Sequence, residues 1–202
     1  MSKRQQLRAA HSVEVRQVYG GVLAGSLVRS RYLETGAGGP VHLLEIGAGA
    51  PVVLVHGTGS PAGFFLPLLR ELDVVRAFPP DIPGQGLSGP IDLPRHRYRE
   101  TAVAWLDHLL DALELDSAAL LGHSAGGVWS LWYALAHPDR VRRLVLIGPP
   151  AFPRTRCPLP YRLMATPGLG ELLSRLYQPA RSRCCGSRAS WVKGRPSPVT
   201  RI

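Results

Sequence analysis

Cysteine is scarce: the 202 residues hold three, Cys157, Cys184 and Cys185. None stands at zinc-ligand spacing and the count is odd, so a disulfide framework is not expected and a reducing, cytoplasmic setting is. No apolar run approaches the roughly 18 residues of a membrane span. The one N-terminal apolar stretch, 18–28, is broken by Gly20, Gly21 and Gly25 and follows Glu14, which argues against an export signal. Neither a metal-ligand cluster nor a phosphate-binding glycine fingerprint occurs, so no metal and no cofactor is expected. Acid is also scarce, with 14 Asp and Glu against 24 Lys and Arg and a formal charge of +10. That excess sits at the ends. Residues 1–33 carry six basic residues and one acid, and residues 181–202 carry six basic residues and none. The middle is close to neutral and no recognition motif accompanies the charge, so neither nucleic acid nor membrane is an expected partner.

What is present is organised around Ala118 to Trp129. A short apolar run, Ala118-Ala119-Leu120-Leu121, passes through Gly122-His123-Ser124-Ala125-Gly126 into a helical pattern. A strand that turns sharply into a helix puts its central serine at the tip of a strained turn, with small residues needed on both sides. Gly122 and Gly126 supply them. Ser124 Oγ is then exposed as a nucleophile, and the N–H of Ala125, at a helix start, points at a developing oxyanion.

The rest alternates strand and helix. Gly36 to Pro40 reads as a turn, Val41 to Ile46 as a strand, and Val52 to Val55 as a strand buried on both faces. The latter ends in His56-Gly57-Thr58-Gly59-Ser60, where the N–H of Thr58 is the candidate second oxyanion donor. His56 reads as structural, holding that loop. Pro61 to Leu72 is expected as a helix, Asp73 to Phe78 as a strand, and Pro79 to Ser88 as a Gly- and Pro-rich turn. Asp81 and Ser88 are expected to stitch the turn backbone. Tyr98 to Leu115 reads as a helix with Leu106, Leu109, Leu110 and Leu113 inward and Asp107, Asp111 and Glu114 on a solvated face. Val141 to Ile147 is a further strand. The alternation implies α/β architecture, with a mostly parallel sheet and flanking helices.

The expected organisation is a basic N-terminal extension (1–33), a core (34–150), a proline-broken lid-like segment (151–180) and a basic tail without periodicity (181–202). The tail is expected to be disordered.

Three motifs in order, His56-Gly57-Thr58-Gly59, Asp81-x-x-Gly84-x-Gly86-x-Ser88 and Gly122-His123-Ser124-Ala125-Gly126, make residues 31–180 resemble the α/β-hydrolase superfamily in its esterase-like branch. The resemblance implies a serine hydrolase acting on an ester or related acyl bond of a small molecule. It implies Ser124 as nucleophile, Thr58 and Ala125 as oxyanion donors, and no cofactor. It also implies an acid and then a histidine after the serine. Here no histidine follows His137, and the only acid beyond Asp139 is Glu171. The expectation is therefore a partial fold, apparently truncated at the C-terminus, with little or no activity. The other readings are a non-catalytic small-molecule-binding relative and, more distantly, a basic-tailed interaction protein.

Overall fold

The computed structural model describes residues 16–21, 23–36, 39–72 and 74–150, with Val13, Leu159, Leu163, Thr166 and Leu169 as single positions. The chain divides into two compact units, 1–153 and 154–202. In the second, the Thr166 N–H donates to the Leu163 carbonyl at 3.1 Å. The lid-like segment and the basic tail otherwise lie outside the described residues.

The first unit is built on parallel strands. β3 (Ala50–Val55), β4 (Val75–Phe78), β5 (Ala118–His123) and β6 (Val141–Ile147) form a parallel sheet in the order β4-β3-β5-β6. β1 (Arg29–Leu33) and β2 (Val41–Glu45) form an antiparallel pair. Single bridges join Leu43 to Pro80 and Ile46 to Ala77, so β2 runs along the outer side of β4. β1 lies inside the stretch read as a basic extension. Its five residues, Arg-Ser-Arg-Tyr-Leu, are charged or polar at the first three positions, and Arg29, Ser30 and Tyr32 are exposed.

Alternation along β3 explains the layers. Val53 and Val55 join the cluster on one face with Leu120, while Leu54 joins the other. The first face is covered by α2 (Tyr98–Ala112) and α3 (Ala125–Ala136), through Trp105, Leu106, Leu109, Leu110, Trp129 and Tyr133. The second is covered by Tyr19, Phe65, Leu66 and Leu69. Strands buried on both faces must be apolar throughout, which is why they read so clearly in the sequence.

The helix expected over 61–72 is two short pieces, a 3-10 turn at Ala62–Phe65 and α1 at Leu66–Leu69. Pro67 has no N–H to carry one helix through both. The solvated face expected for α2 is also only partly so. Asp107 accepts hydrogen bonds from Tyr133 Oη at 2.8 Å and Arg140 Nη1 at 2.6 Å. Arg140 also donates to the Leu115 carbonyl at 2.8 Å, tying the approach to β5 to the approach to β6.

Among the described residues β6 pairs on one side only, with β5. Val145 and Ile147 on it are 49% and 47% exposed. An apolar strand edge of this kind is a template for further pairing.

Candidate active site

β5 ends in a turn that no ordinary residue tolerates. Ser124 has φ 52° and ψ −122°, a conformation sparsely populated outside glycine. Two contacts hold it there. Its N–H donates to the Ile147 carbonyl at 2.9 Å, and its own carbonyl accepts the Gly127 N–H at 3.0 Å as α3 begins. The flanking glycines are required by space. A Cβ on Gly122 would lie 2.5 Å from Gly127 Cα, and one on Gly126 would overlap the carbonyl oxygens of Val55 and His56. Those are backbone atoms and cannot rotate away. Gly126→Ala is therefore expected to cost at least about 3 kcal/mol, the upper end for overpacking, read as a lowered urea midpoint. Gly21→Ala, where a Cβ meets nothing within 4 Å, should leave the midpoint close to native.

The loop after β3 lies directly on this turn. A Cβ on Gly57 would come within 2.9 Å of Ser124 Cβ. The loop is held from beneath by Gln85, whose Oε1 accepts the Gly59 N–H at 2.6 Å. Among the described residues neither the Thr58 N–H nor the Ala125 N–H has an acceptor. Ala125 is the first residue of α3, where the helix leaves its N–H groups unpaired. Phe64 stacks on the His123 ring, centroids 4.8 Å apart and planes 22° from parallel, and walls one side of the turn.

Ser124 Oγ has no hydrogen-bond partner among the described residues, and the nearby histidines show why. His56 is fully buried and both ring nitrogens are engaged: Nδ1–H donates to the Gly57 carbonyl at 2.8 Å and Nε2 accepts the Ile82 N–H at 3.0 Å. Burial pushes its pKa below the ordinary imidazole value, so it stays neutral. With no lone pair to spare it holds the loop, as its position before the turn suggests. His123 carries a buried, unpartnered Nδ1 but makes no bond to Ser124. His42, on β2, is committed to Asp81 at 2.7 Å.

Asp81 is the hub of the loops. Its carboxylate, fully buried, accepts from His42 Nδ1 at 2.7 Å, the Ala62 N–H at 2.5 Å, the Leu87 N–H at 2.9 Å and Tyr19 Oη at 3.2 Å. Burial alone would raise its pKa. The His42 hydrogen bond and the Ala62 and Leu87 N–H groups outweigh this and hold it below the ordinary carboxylate value. Ser88 Oγ donates to the Asp81 carbonyl at 2.6 Å and accepts the His42 N–H at 2.9 Å. Both residues stitch their loop as the sequence suggests. The partners Tyr19 and His42 lie 62 and 39 residues away, and nothing local in the sequence points to them.

Among the described residues no group of His, Cys, Asp and Glu could hold a metal ion. No helix among them is long and apolar enough to cross a membrane.

The sequence profile of the alpha/beta hydrolase fold matches residues 50–171. The chain is 44% identical over 132 residues to 2-hydroxy-6-oxo-2,4-heptadienoate hydrolase of Pseudomonas putida, covering 63% of this chain and 43% of that one. It is 34% identical over 174 residues to 2-hydroxy-6-oxononadienedioate/2-hydroxy-6-oxononatrienedioate hydrolase of Paraburkholderia phymatum, covering 83% and 55%. Among solved structures, a carboxylesterase of Bacillus subtilis superposes with a TM-score of 0.67 at 25% identity, covering 76% of this chain and 55% of that one. The chain spans about half the length of the curated relatives it matches.

Proposed function

This chain belongs to the α/β-hydrolase fold family, and from that premise we propose that it carries the nucleophile half of a serine hydrolase, with Ser124 as the attacking group. The observation that carries the reading is the turn itself. A strained serine, its Oγ free, sits at the start of α3 beneath a loop pressed within van der Waals contact of it. Ser124 Oγ attacks the carbonyl carbon of a small-molecule ester or related acyl compound. The N–H groups of Thr58 and Ala125 receive the oxyanion that develops as the carbonyl opens. Gly122 and Gly126 permit the turn. The 6-oxo group in the relatives' names is a carbonyl of the same kind of reactivity.

The reaction also needs a base to take the Ser124 proton. Among the described residues His56 has no free lone pair, His42 faces another hydroxyl, and His123 makes no bond to Ser124. The nucleophile half on its own turns its substrate over slowly. Oxyanion stabilisation and binding alone retain about 10³–10⁴-fold over water in serine hydrolases stripped of their triads.

A thiol needs no base, being a few per cent thiolate at pH 7, and more so at a helix N-terminus. Ser124→Cys is therefore expected to release a burst of one equivalent of p-nitrophenol from p-nitrophenyl acetate, with the thioester mapped to residue 124. Absence of the burst, or thioesters only at Cys157, Cys184 or Cys185, overturns the assignment.

A further inference from the structure

On the antiparallel pair beyond β4, at the far side from β6, a second serine meets the geometric conditions that Ser124 lacks. Ser30 lies on β1 opposite Leu44, with Tyr32 opposite His42, so Ser30 and His42 are diagonal neighbours across the antiparallel pair. Ser30 Oγ is 2.8 Å from His42 Nε2, and His42 Nδ1 is 2.7 Å from Asp81 Oδ2. Nucleophile, base and orienting carboxylate are thus joined in that order.

The chemistry of the buried partners fixes the direction of the bond between His42 and Asp81. Every other group that meets the Asp81 carboxylate is a donor: the Ala62 N–H, the Leu87 N–H and Tyr19 Oη. The carboxylate is an acceptor only, so His42 Nδ1 must carry a proton. A ring protonated only at Nδ1 has its lone pair on Nε2, facing the Ser30 hydroxyl. The ring cannot swing away. Tyr19 and Tyr32 pack against it with centroids 5.0 and 5.2 Å distant. His42 and Asp81 are fully buried, yet Ser30 is exposed on its edge strand.

We infer that Ser30, His42 and Asp81 form a second hydroxyl-activating relay, making Ser30 an acylation site for activated esters. It stands four strand spacings from β5, on the order of 19 Å from Ser124, and it does not depend on Ser124. In the step, Ser30 Oγ bonds to the acyl carbon and its proton passes to His42 Nε2. The bond from the acyl carbon to the leaving oxygen breaks, and the leaving alkoxide takes that proton from His42 to depart as the alcohol. Ser30 is left as its ester. Asp81 stays ionised throughout and holds the imidazolium.

The test uses the full chain carrying Ser124→Ala and diisopropyl fluorophosphate, which bonds to an activated serine with loss of fluoride. Adducts are mapped by peptide mass spectrometry over time. Ser26 is the internal reference: it is exposed, and its hydroxyl donates only to the Leu23 carbonyl. Ser30 is expected to react about 100 times faster than Ser26, the lower end of what a positioned base contributes. In urea-unfolded chain the two rates should converge. Equal rates in the folded chain, or a Ser30 preference that survives unfolding, overturn the relay.

Discussion

Asp81→Ala is expected to remove a large share of the stability of the fold. Four donors converge on its buried carboxylate, at 2.5 to 3.2 Å. They belong to the N-terminal helical residues, to β2, to the start of the Ala62–Phe65 turn and to the Pro79–Ser88 loop. Removing the acceptor strands all four. Breaking a buried charged pair from one side costs about 3–5 kcal/mol, against a total of about 5–15 kcal/mol for a domain. For a domain of this size that lowers the melting temperature by about 10 °C or more. Repacking offers little relief: a Cβ on Gly86 would already overlap the carboxylate, so the site is shaped around these oxygens. Asp81→Asn should also destabilise, because its amide presents N–H groups to partners that are themselves donors.

The same carboxylate sets an acid limit. Its pKa is lower in the fold than in the unfolded chain, so the unfolded state binds more protons over that interval. The contribution is complete above the unfolded value, about pH 4. It is lost as pH falls through the lower, folded value. Thermal unfolding followed by circular dichroism from pH 7 to pH 3 should show this loss in the native chain and not in Asp81→Asn. An Asp81→Ala protein within about 1 kcal/mol of native would contradict the hub role.

How much of this was legible beforehand follows from where the signal lies. β3 and β5 announce themselves because strands covered on both faces are continuously apolar, and β6 does so through the apolar run Leu144 to Ile147. The turn at Ser124 was legible because Gly122 and Gly126 are demanded by backbone clearance, which leaves its mark in the sequence. β1 was not, since its run of arginine, serine and tyrosine carries no apolar alternation and resembles an extension. α1 was over-read because apolar spacing from Pro61 to Leu72 suits a helix, while Pro67 shortens it. The polar hub escaped for a different reason. Asp81 in a Gly-Pro turn says that something is stitched, but Tyr19 and His42 reach it only through tertiary folding. The same holds for Ser30 and His42, 12 residues apart and joined by a hairpin register that no single residue specifies.

Among the described residues no side chain hydrogen-bonds Ser124 Oγ, which has a consequence for mutagenesis. Serine and histidine act as a unit, so removing the serine where no histidine serves it costs little further. Ser124→Ala is expected to change basal ester turnover by less than about threefold. A base in solution should separate the two proteins. A positioned base contributes about 10²–10⁴-fold. Free imidazole, without that positioning, should recover a part, about tenfold.

The decisive measurement is hydrolysis of p-nitrophenyl acetate across an imidazole series, after subtraction of imidazole's own rate, for the chain with Ser124 and for Ser124→Ala. Both carry Ser30→Ala so that the other hydroxyl adds nothing. The native turn should give an imidazole-dependent increment that the alanine variant lacks. An equal increment in both would remove Ser124 from the chemistry. A loss of about a thousandfold on Ser124→Ala without imidazole would show that a base is already in place.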